Sequence, residues 1–186
     1  SGPRIIPRFF SSWEHLENWC EDPELISKAY ATGVPMGGNL KKNLQQTSPH
    51  FLVSASADPG TDEFPGGLLQ EIQIIKSWLG RDDQFYYKVI SVAGDPNNEA
   101  SVNSATCKPI GTGAKELCGT WQDPDFDPTL DAVYYSRILE NPSCRWSTHL
   151  CLQMNQSRRP DACDSDQIPK LIQERAWTSP IWYSAN

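Results

Sequence analysis

One segment limits the folds open to this chain more than any other: LQEIQIIKSWLGRDDQFYYKVISVAG, residues 69–94. Two runs rich in β-branched and aromatic residues, 72–79 and 85–92, flank the turn-forming sequence GRDD. This arrangement predicts a β-hairpin, and therefore an antiparallel sheet. Strand alternation divides the first run into two faces, formed by Ile72, Ile74, Lys76 and Trp78 and by Gln73, Ile75, Ser77 and Leu79.

Four further segments have strand character, and one has helical character. The strand segments are 4–10, 50–57, 131–139 and 175–183, two of which contain a proline typical of an edge or a bend. In the helical segment Asp22 is the expected N-cap, and Gly33 is the expected left-handed residue at the C-terminal end. Residues 94–118 and 142–174 lack a clear period and are predicted to be irregular.

Many predicted strands and one predicted helix indicate a mainly β fold. We expect an antiparallel β-sandwich-like domain, stabilised by disulfides, with a short helical appendage near the N-terminus. The expected division is 1–48 for the appendage, with its strand, helix and loop, and 49–186 for the β-rich domain. Because the chain opens with SGPRIIPRFF and no methionine, we interpret it as processed or partial.

The cysteines indicate an oxidising compartment. An even number, without a C-x-x-C knuckle or a histidine cluster, favours disulfides over zinc or free thiols. The pairing stays open, although a bond between Cys107 and Cys118 would close a short loop. We expect an extracellular or periplasmic protein, with a glycosylation sequon at Asn155. The six disulfide candidates are Cys20, Cys107, Cys118, Cys144, Cys151 and Cys163.

Charge and hydropathy exclude two classes of partner. A formal net charge of −7 argues against nucleic acid, because phosphate binding needs clustered lysine and arginine. The short basic pairs Lys41-Lys42 and Arg158-Arg159 are interpreted as solvated loop charges. No run approaches the roughly 18 apolar residues of a membrane span, so we predict none.

No catalytic motif stands out, and we assign no catalytic residue, metal ligand or cofactor. The three histidines, His15, His50 and His149, are expected to be structural or exposed, although Cys144 or Cys151 with His149 could form a thiol–imidazole pair. The sequence WQDPDFDP, residues 121–128, starts like a calcium loop. It then lacks the glycine and glutamate of an EF-hand, so a structural turn is favoured over calcium.

The seven tryptophans allow two interpretations. Scattered aromatic side chains are more often core than a platform for carbohydrate or another ligand. Trp177 and Trp182 stand close to the C-terminus, in QERAWTSPIWYSAN. Since chain ends fray unless they are packed down, we predict a final strand with both indole rings buried.

A series of collinear phrases is more specific than any of these patterns. It resembles the C-terminal third of a bacterial family, domain-of-unknown-function family number 3604. The family looks related to metal-dependent phosphoesterases of the polymerase-and-histidinol-phosphatase group, whose histidine-rich barrel would lie before Ser1. The resemblance therefore implies a β-rich tail without the metal ligands of that barrel. The phrases are SGPRI, RFFSSW, AYATGVPMGGNL, FLVSASADP, LQEIQIIKSWL, GAKELCGTWQDPDFDPTLDAVYYSRILENPSCRWST and IQERAWTSPIWY.

Three functions follow as hypotheses. The first is a non-catalytic secreted domain that acts as a packing or self-assembly module, with itself or a missing N-terminal barrel as partner. The second is an extracellular filament subunit that donates an unpaired N-terminal strand to the next copy. The third is the C-terminal piece of a two-part metal-dependent hydrolase. The candidate residues of the donated strand are Arg4, Ile5, Ile6, Arg8, Phe9 and Phe10.

Overall fold

The computed structural model describes residues 2–15, 18–43 and 47–185. Its smaller main sheet has four antiparallel strands in the order β2-β1-β4-β9. Short turns cannot join these strands, because a helix and the larger sheet separate them along the chain. The strands are β1 (Ile6–Ser12), β2 (Val34–Pro35), β4 (His50–Ser56) and β9 (Glu116–Gln122).

The larger sheet is built around the predicted hairpin. Its order is β3-β14-β10-β5-β6, and β13 also pairs with β10. All of its pairings are antiparallel except that of β3 with β14. The strands are β3 (Asn39–Leu40), β5 (Leu69–Leu79), β6 (Phe85–Gly94), β10 (Ala132–Glu140), β13 (Arg175–Trp177) and β14 (Ile181–Tyr183).

Two small antiparallel pairs complete the β structure, and they occupy the stretches predicted to be irregular. One joins β7 (Ser101–Asn103) to β8 (Lys108–Ile110), and the other joins β11 (Ser143–Cys144) to β12 (Leu171–Ile172). These strands are too short for hydrophobic alternation to reveal them.

The two main sheets pack face to face and enclose the core, so the predicted mainly β, sandwich-like fold is confirmed. The ring centroids of Phe51 in β4 and Tyr134 in β10 lie 4.3 Å apart across the layers. Phe9 in β1 stacks on Phe51 at 5.7 Å. The remaining large core side chains come from both sheets and include Val53, Ile72, Ile74, Ile138, Ile181 and Tyr183.

Helix α1 (Leu25–Thr32) covers the outer face of the smaller sheet. It begins after Glu24, two residues later than predicted, although the Asp22 side chain still accepts from the Glu24 amide (2.8 Å) in the turn before the helix and from Lys28. Gly33 is extended at φ −108°, so the predicted left-handed conformation is wrong. A glycine suits the position for another reason: a Cβ would lie 2.7 Å from the Ala29 carbonyl oxygen.

All six cysteines are paired, as Cys20–Cys118, Cys107–Cys144 and Cys151–Cys163. The suggested Cys107–Cys118 bond is wrong, because Cys118 lies in β9 on the outer face of the smaller sheet, beside Cys20. Helix α2 (Trp146–Gln153) falls in a stretch that the sequence predicts to be irregular. Single 3-10 turns occur at Trp19–Glu21, Gln156–Arg158 and Asp161–Cys163.

The N-terminal segment belongs to the sandwich. Strand β1 pairs with β4 from Ile6 to Ser12 and with β2 on its other edge, so the expected unpaired strand is wrong. Its Phe9 and Phe10 side chains are buried on opposite sides of the sheet. Since residues 1–48 also supply β3 to the larger sheet, the proposed division at residue 48 matches no break between the sheets.

The strand predicted at 175–183 is interrupted before Pro180 and forms two strands, β13 and β14, whose tryptophans both point outward. Ile181 and Tyr183 are buried in the core, whereas Trp182 is 50% exposed and Trp177 is 55% exposed. The prediction of two buried indoles is therefore wrong. Both neighbours of Trp182 are themselves large and apolar, so alternation alone did not decide which residue faces inward.

Candidate functional site

The histidines and cysteines form no active pair among the described residues. His149, Cys107 and Cys144 bring their ligand atoms within 4.8 Å of one another, but the two cysteines are bonded to each other. A disulfide offers no thiolate for metal binding or nucleophilic attack. The rings of His15 and His50 meet edge to face at 5.2 Å, and burial together with His15 lowers the pKa of His50.

The most buried charged group is an ion pair inside the sandwich. Lys76 of β5 and Asp123 are 4% and 0% exposed, and their Nζ and Oδ2 atoms lie 2.6 Å apart. The Tyr134 hydroxyl donates to the same carboxylate oxygen at 2.7 Å. Burial, with Asp123 beside it, raises the pKa of this hydroxyl, so it stays protonated as a donor. The adjoining cavity measures about 20 Å³, which is room for a single water.

The other aspartates of WQDPDFDP also meet cations. Asp125 pairs with Lys88 at 2.7 Å, and Asp127 pairs with Arg81 at 3.1 Å. Lys88 holds the pKa of Asp125 below its usual range. Each carboxylate of the triplet thus has a basic side chain where a calcium ion would otherwise sit. This arrangement supports the interpretation of a structural turn.

A broad hydrophobic surface covers the outside of the larger sheet. Ile72 and Ile74 face the core, so alternation turns Ile75 and Leu79 outward. Residues directly opposite each other on paired antiparallel strands lie on the same face of the sheet. The outward residues of the neighbouring strands therefore follow from their pairing partners. We call this surface the outer aromatic face. It comprises Ile75, Ser77, Leu79, Phe85, Tyr87, Val89, Val133, Tyr135, Trp177 and Trp182, with Gln73, Ser91 and Arg137 at one end.

The outer aromatic face is exposed along its outer strands and closed at its centre. Phe85 and Tyr87 are 87% and 75% exposed, whereas Ile75 is 3% exposed. Tyr87, Ser77, Val133 and Trp182 form one row across four neighbouring strands. With strands about 4.8 Å apart and successive outward residues about 6.7 Å apart, the face measures roughly 20 by 20 Å. This is the size of the largest apolar patch of a typical monomer, which is often functional.

Charge is sparse at the centre of this face and is concentrated at one end. Arg137 Nε donates to Gln73 Oε1 at 2.8 Å, and the face continues along the strands to Glu71, which accepts from Gln73, and to the exposed Arg175. The aromatic residues and arginine are types enriched at the centre of protein interfaces. Most of the acidic groups behind the net charge of −7 lie elsewhere.

Sequence reasoning missed this face although its signal was present. The hairpin strand 85–92 carries Phe85, Tyr87 and Val89 in succession on one side, before Ser91. A strand with apolar residues on both faces belongs either in a buried sheet or at an interface. Local sequence does not distinguish these two cases.

The other predicted residues are dispersed. Asn155 is exposed and directly precedes the 3-10 turn Gln156–Arg158. In the segment expected to be donated, Arg4 and Ile6 are exposed and Ile5 is buried. Lys41 and Lys42 are exposed, as interpreted from the sequence. Arg158 is also exposed, but Arg159 is partly buried and lines a cavity.

The fold and its cross-links define a class: a compact antiparallel β-sandwich held by three disulfides, with an aromatic outer face. The chain belongs to the family described as "Protein of unknown function (DUF3604)", which it matches over residues 1–185. This match confirms the resemblance drawn from the collinear phrases.

No curated protein and no solved structure matches the chain. In the described ranges, neither helix has the length and apolar character needed to cross a bilayer. The three disulfides indicate maturation in an oxidising compartment.

Proposed function

We propose that this chain is a non-catalytic module that pairs with a second copy of itself through the outer aromatic face. The observation that carries the proposal is the exposure of Phe85, Tyr87, Trp177 and Trp182 on one continuous sheet surface. Stacked sheets pack about 10 Å apart when their facing side chains are apolar. Pairing would remove these rings from water, which is a favourable change.

Charge favours a second copy as the occupant. A surface that meets its own copy across a two-fold axis places like charges together, which is unfavourable if it carries several ions. The charged side chains of the outer aromatic face, Arg137, Glu71 and Arg175, are of both signs and lie at one end of it. The acidic balance of the chain therefore does not oppose contact at this face.

The area favours a weak pair. Stable interfaces cover about 800 Å² per partner, and the sheet area of this face is roughly 400 Å², so we expect dimers that depend on protein concentration. Contact through a sheet face also closes on itself as a pair. Strand donation would instead require β1 to leave both β2 and β4. An extracellular or periplasmic location is part of the proposal, supported by the disulfides.

Sedimentation velocity over a concentration series tests the proposal. We expect the wild type to form dimers and Tyr87→Asp to weaken the dimer at least tenfold, because two carboxylates would enter a water-free contact. Phe64→Asp is the matched control, since Phe64 is an exposed aromatic residue in the loop after β4 and lies outside the face. A wild type that stays monomeric at every concentration, or a Phe64→Asp variant that dissociates equally, refutes the proposal.

A further inference from the structure

A second feature, independent of the outer aromatic face, is a cavity of about 510 Å³ beside α2. Its size falls in the range of small-molecule sites. One wall is α2 and the residue after it, another is the loop from Arg159 to Lys170, and Ser104 and Ala105 complete the lining. The cavity is open to solvent, because its large apolar side chains are 37–73% exposed. These side chains are Trp146, Leu150, Leu152, Met154 and Ile168.

The two walls are joined before any ligand arrives. Cys151 in α2 and Cys163 in the loop are disulfide-bonded, and both line the cavity. The Lys170 carbonyl accepts from the Thr148 hydroxyl at 2.7 Å and from the Arg145 amide at 2.9 Å. A preformed site loses less conformational freedom on binding than one that the ligand must assemble.

Arg159 is the basic side chain that the loop wall brings to this cavity. It is partly buried, and its Nε–H is enclosed and meets no acceptor in the part of the chain that the structure describes. Arginine cannot lose its proton, so the guanidinium remains a charged donor at this wall.

The charges around the cavity define the ligand further. Arg159 and Lys170 carry positive charge, and Asp164 carries negative charge, which leaves one net positive charge. A carboxylate matches the guanidinium fork with two parallel hydrogen bonds. We propose that the cavity binds a monocarboxylate with an apolar chain, the carboxylate on Arg159 and the chain against α2.

The test uses decanoate as the probe and 1-decanol as its neutral counterpart, both below micelle formation, with calorimetric titration of the intact chain. We expect decanoate to bind at least tenfold more tightly than decanol, because only decanoate satisfies the guanidinium. Arg159→Gln should weaken decanoate binding about tenfold or more and leave decanol within twofold. Arg158→Gln is the control, since Arg158 is exposed and outside the cavity.

Three outcomes overturn the inference. These are absence of saturable decanoate binding, equal affinity for decanoate and decanol, or equal loss of decanoate binding in the Arg158 and Arg159 variants. If Arg159→Gln does not fold, the ratio of the two affinities in the wild type decides the question alone. The dimer assay does not depend on this site, so either proposal can fail without the other.

Discussion

The two outer faces of the sandwich differ in whether another part of the chain covers them. On the smaller sheet, Phe10 and Leu52 point outward and are covered by α1, which contributes Ala29 to a second small core. On the larger sheet, an even larger set of apolar side chains points outward, with no described element over Tyr87 or Trp182. Helix α1 therefore covers the apolar residues of the smaller sheet, whereas no described element covers the more aromatic face of the larger sheet. This difference supports an intermolecular contact at the outer aromatic face.

The two faces also differ in how they are secured. The Cys20–Cys118 disulfide links the segment before α1 to β9, so the cover is cross-linked to the sheet beneath it. On the open face, the Arg137–Gln73 contact lies within the sheet itself. Changes on the covered face should therefore mainly alter the free energy of unfolding. Changes on the outer aromatic face should mainly alter the affinity of the dimer.

Removal of the cross-link should have the largest effect. Cys20→Ser with Cys118→Ser frees a loop with a sequence separation of 98. Chain entropy alone predicts a loss of about 4.5 kcal/mol in the free energy of unfolding. Denaturant unfolding measures this loss, and hydrogen exchange should show faster exchange in α1.

The control for that experiment is Cys151→Ser with Cys163→Ser, with a separation of only 12. The same relation predicts a smaller loss of about 3 kcal/mol. The opposite outcome is that the Cys20–Cys118 variant loses no more free energy of unfolding than the Cys151–Cys163 variant. That result would contradict the conclusion that the first disulfide secures α1 to the sheet.

The stability of the protein should depend on pH through Glu140, at the end of β10. Glu140 is 3% exposed, its Oε1 has no partner in the described ranges, and its carboxylate lies against Gly67. Burial first, and then Glu174 and Asp58, raise the pKa of Glu140 to about 7 from 4.5. Stability should be full below pH 4.5, fall as pH rises to about 7, and stay lower above that, by about 3 kcal/mol in all.

Denaturant midpoints at several pH values measure this change. Glu140→Gln keeps the shape of the side chain and cannot ionise, so the stability difference between this variant and the wild type should change by about 3 kcal/mol between pH 4.5 and 7. The lowered pKa of His50 acts in the opposite direction over this range, but it is common to both proteins. Glu116→Gln is the control, because Glu116 is exposed. A difference that stays constant over this range would contradict the raised pKa of Glu140.

A matched pair of leucines compares the faces directly. Leu52 in β4 points into the covered face and is buried, whereas Leu79 in β5 points into the open face and is 41% exposed. Leu52→Ala should lower the free energy of unfolding by about 2–5 kcal/mol, the usual cost for a buried leucine, because a cavity forms beneath α1. Leu79→Ala should cost less than about 1 kcal/mol in the dilute monomer. Equal losses of free energy of unfolding in the two variants would mean that Leu79 is packed as tightly as Leu52, so that the outer aromatic face is covered.

The sequence predicted the parts of the fold that depend on neighbours in the chain. The hairpin appears at β5 and β6, because its alternation and turn are local. The strand predicted at 131–139 is β10, for the same reason. The pairing of β1 with β4 brings together segments that are separated by a helix and a loop. No local pattern specifies such a partner.

The candidate surfaces were harder to predict than the strands. The cysteine count predicted disulfides, but the partner of Cys118 depends on where the segment before α1 is packed. Arg159 follows an exposed arginine in the sequence, and only the fold places it beside a cavity. Sequence patterns therefore identified the layers of this protein, while the properties of its outer surfaces required the tertiary arrangement.

Trp182 tests the open face most sharply, because its expected effect on stability is smaller than that of its buried neighbour. Since half of this side chain is exposed, Trp182→Ala should lower the free energy of unfolding of the monomer by about 1–2 kcal/mol. Its neighbour Tyr183 is the control: it is buried and its hydroxyl donates to the Pro128 carbonyl at 3.0 Å, so Tyr183→Ala should cost about 3 kcal/mol or more. A loss for Trp182→Ala as large as for Tyr183→Ala would place the indole in the core, and would remove one of the four rings on which self-association is argued.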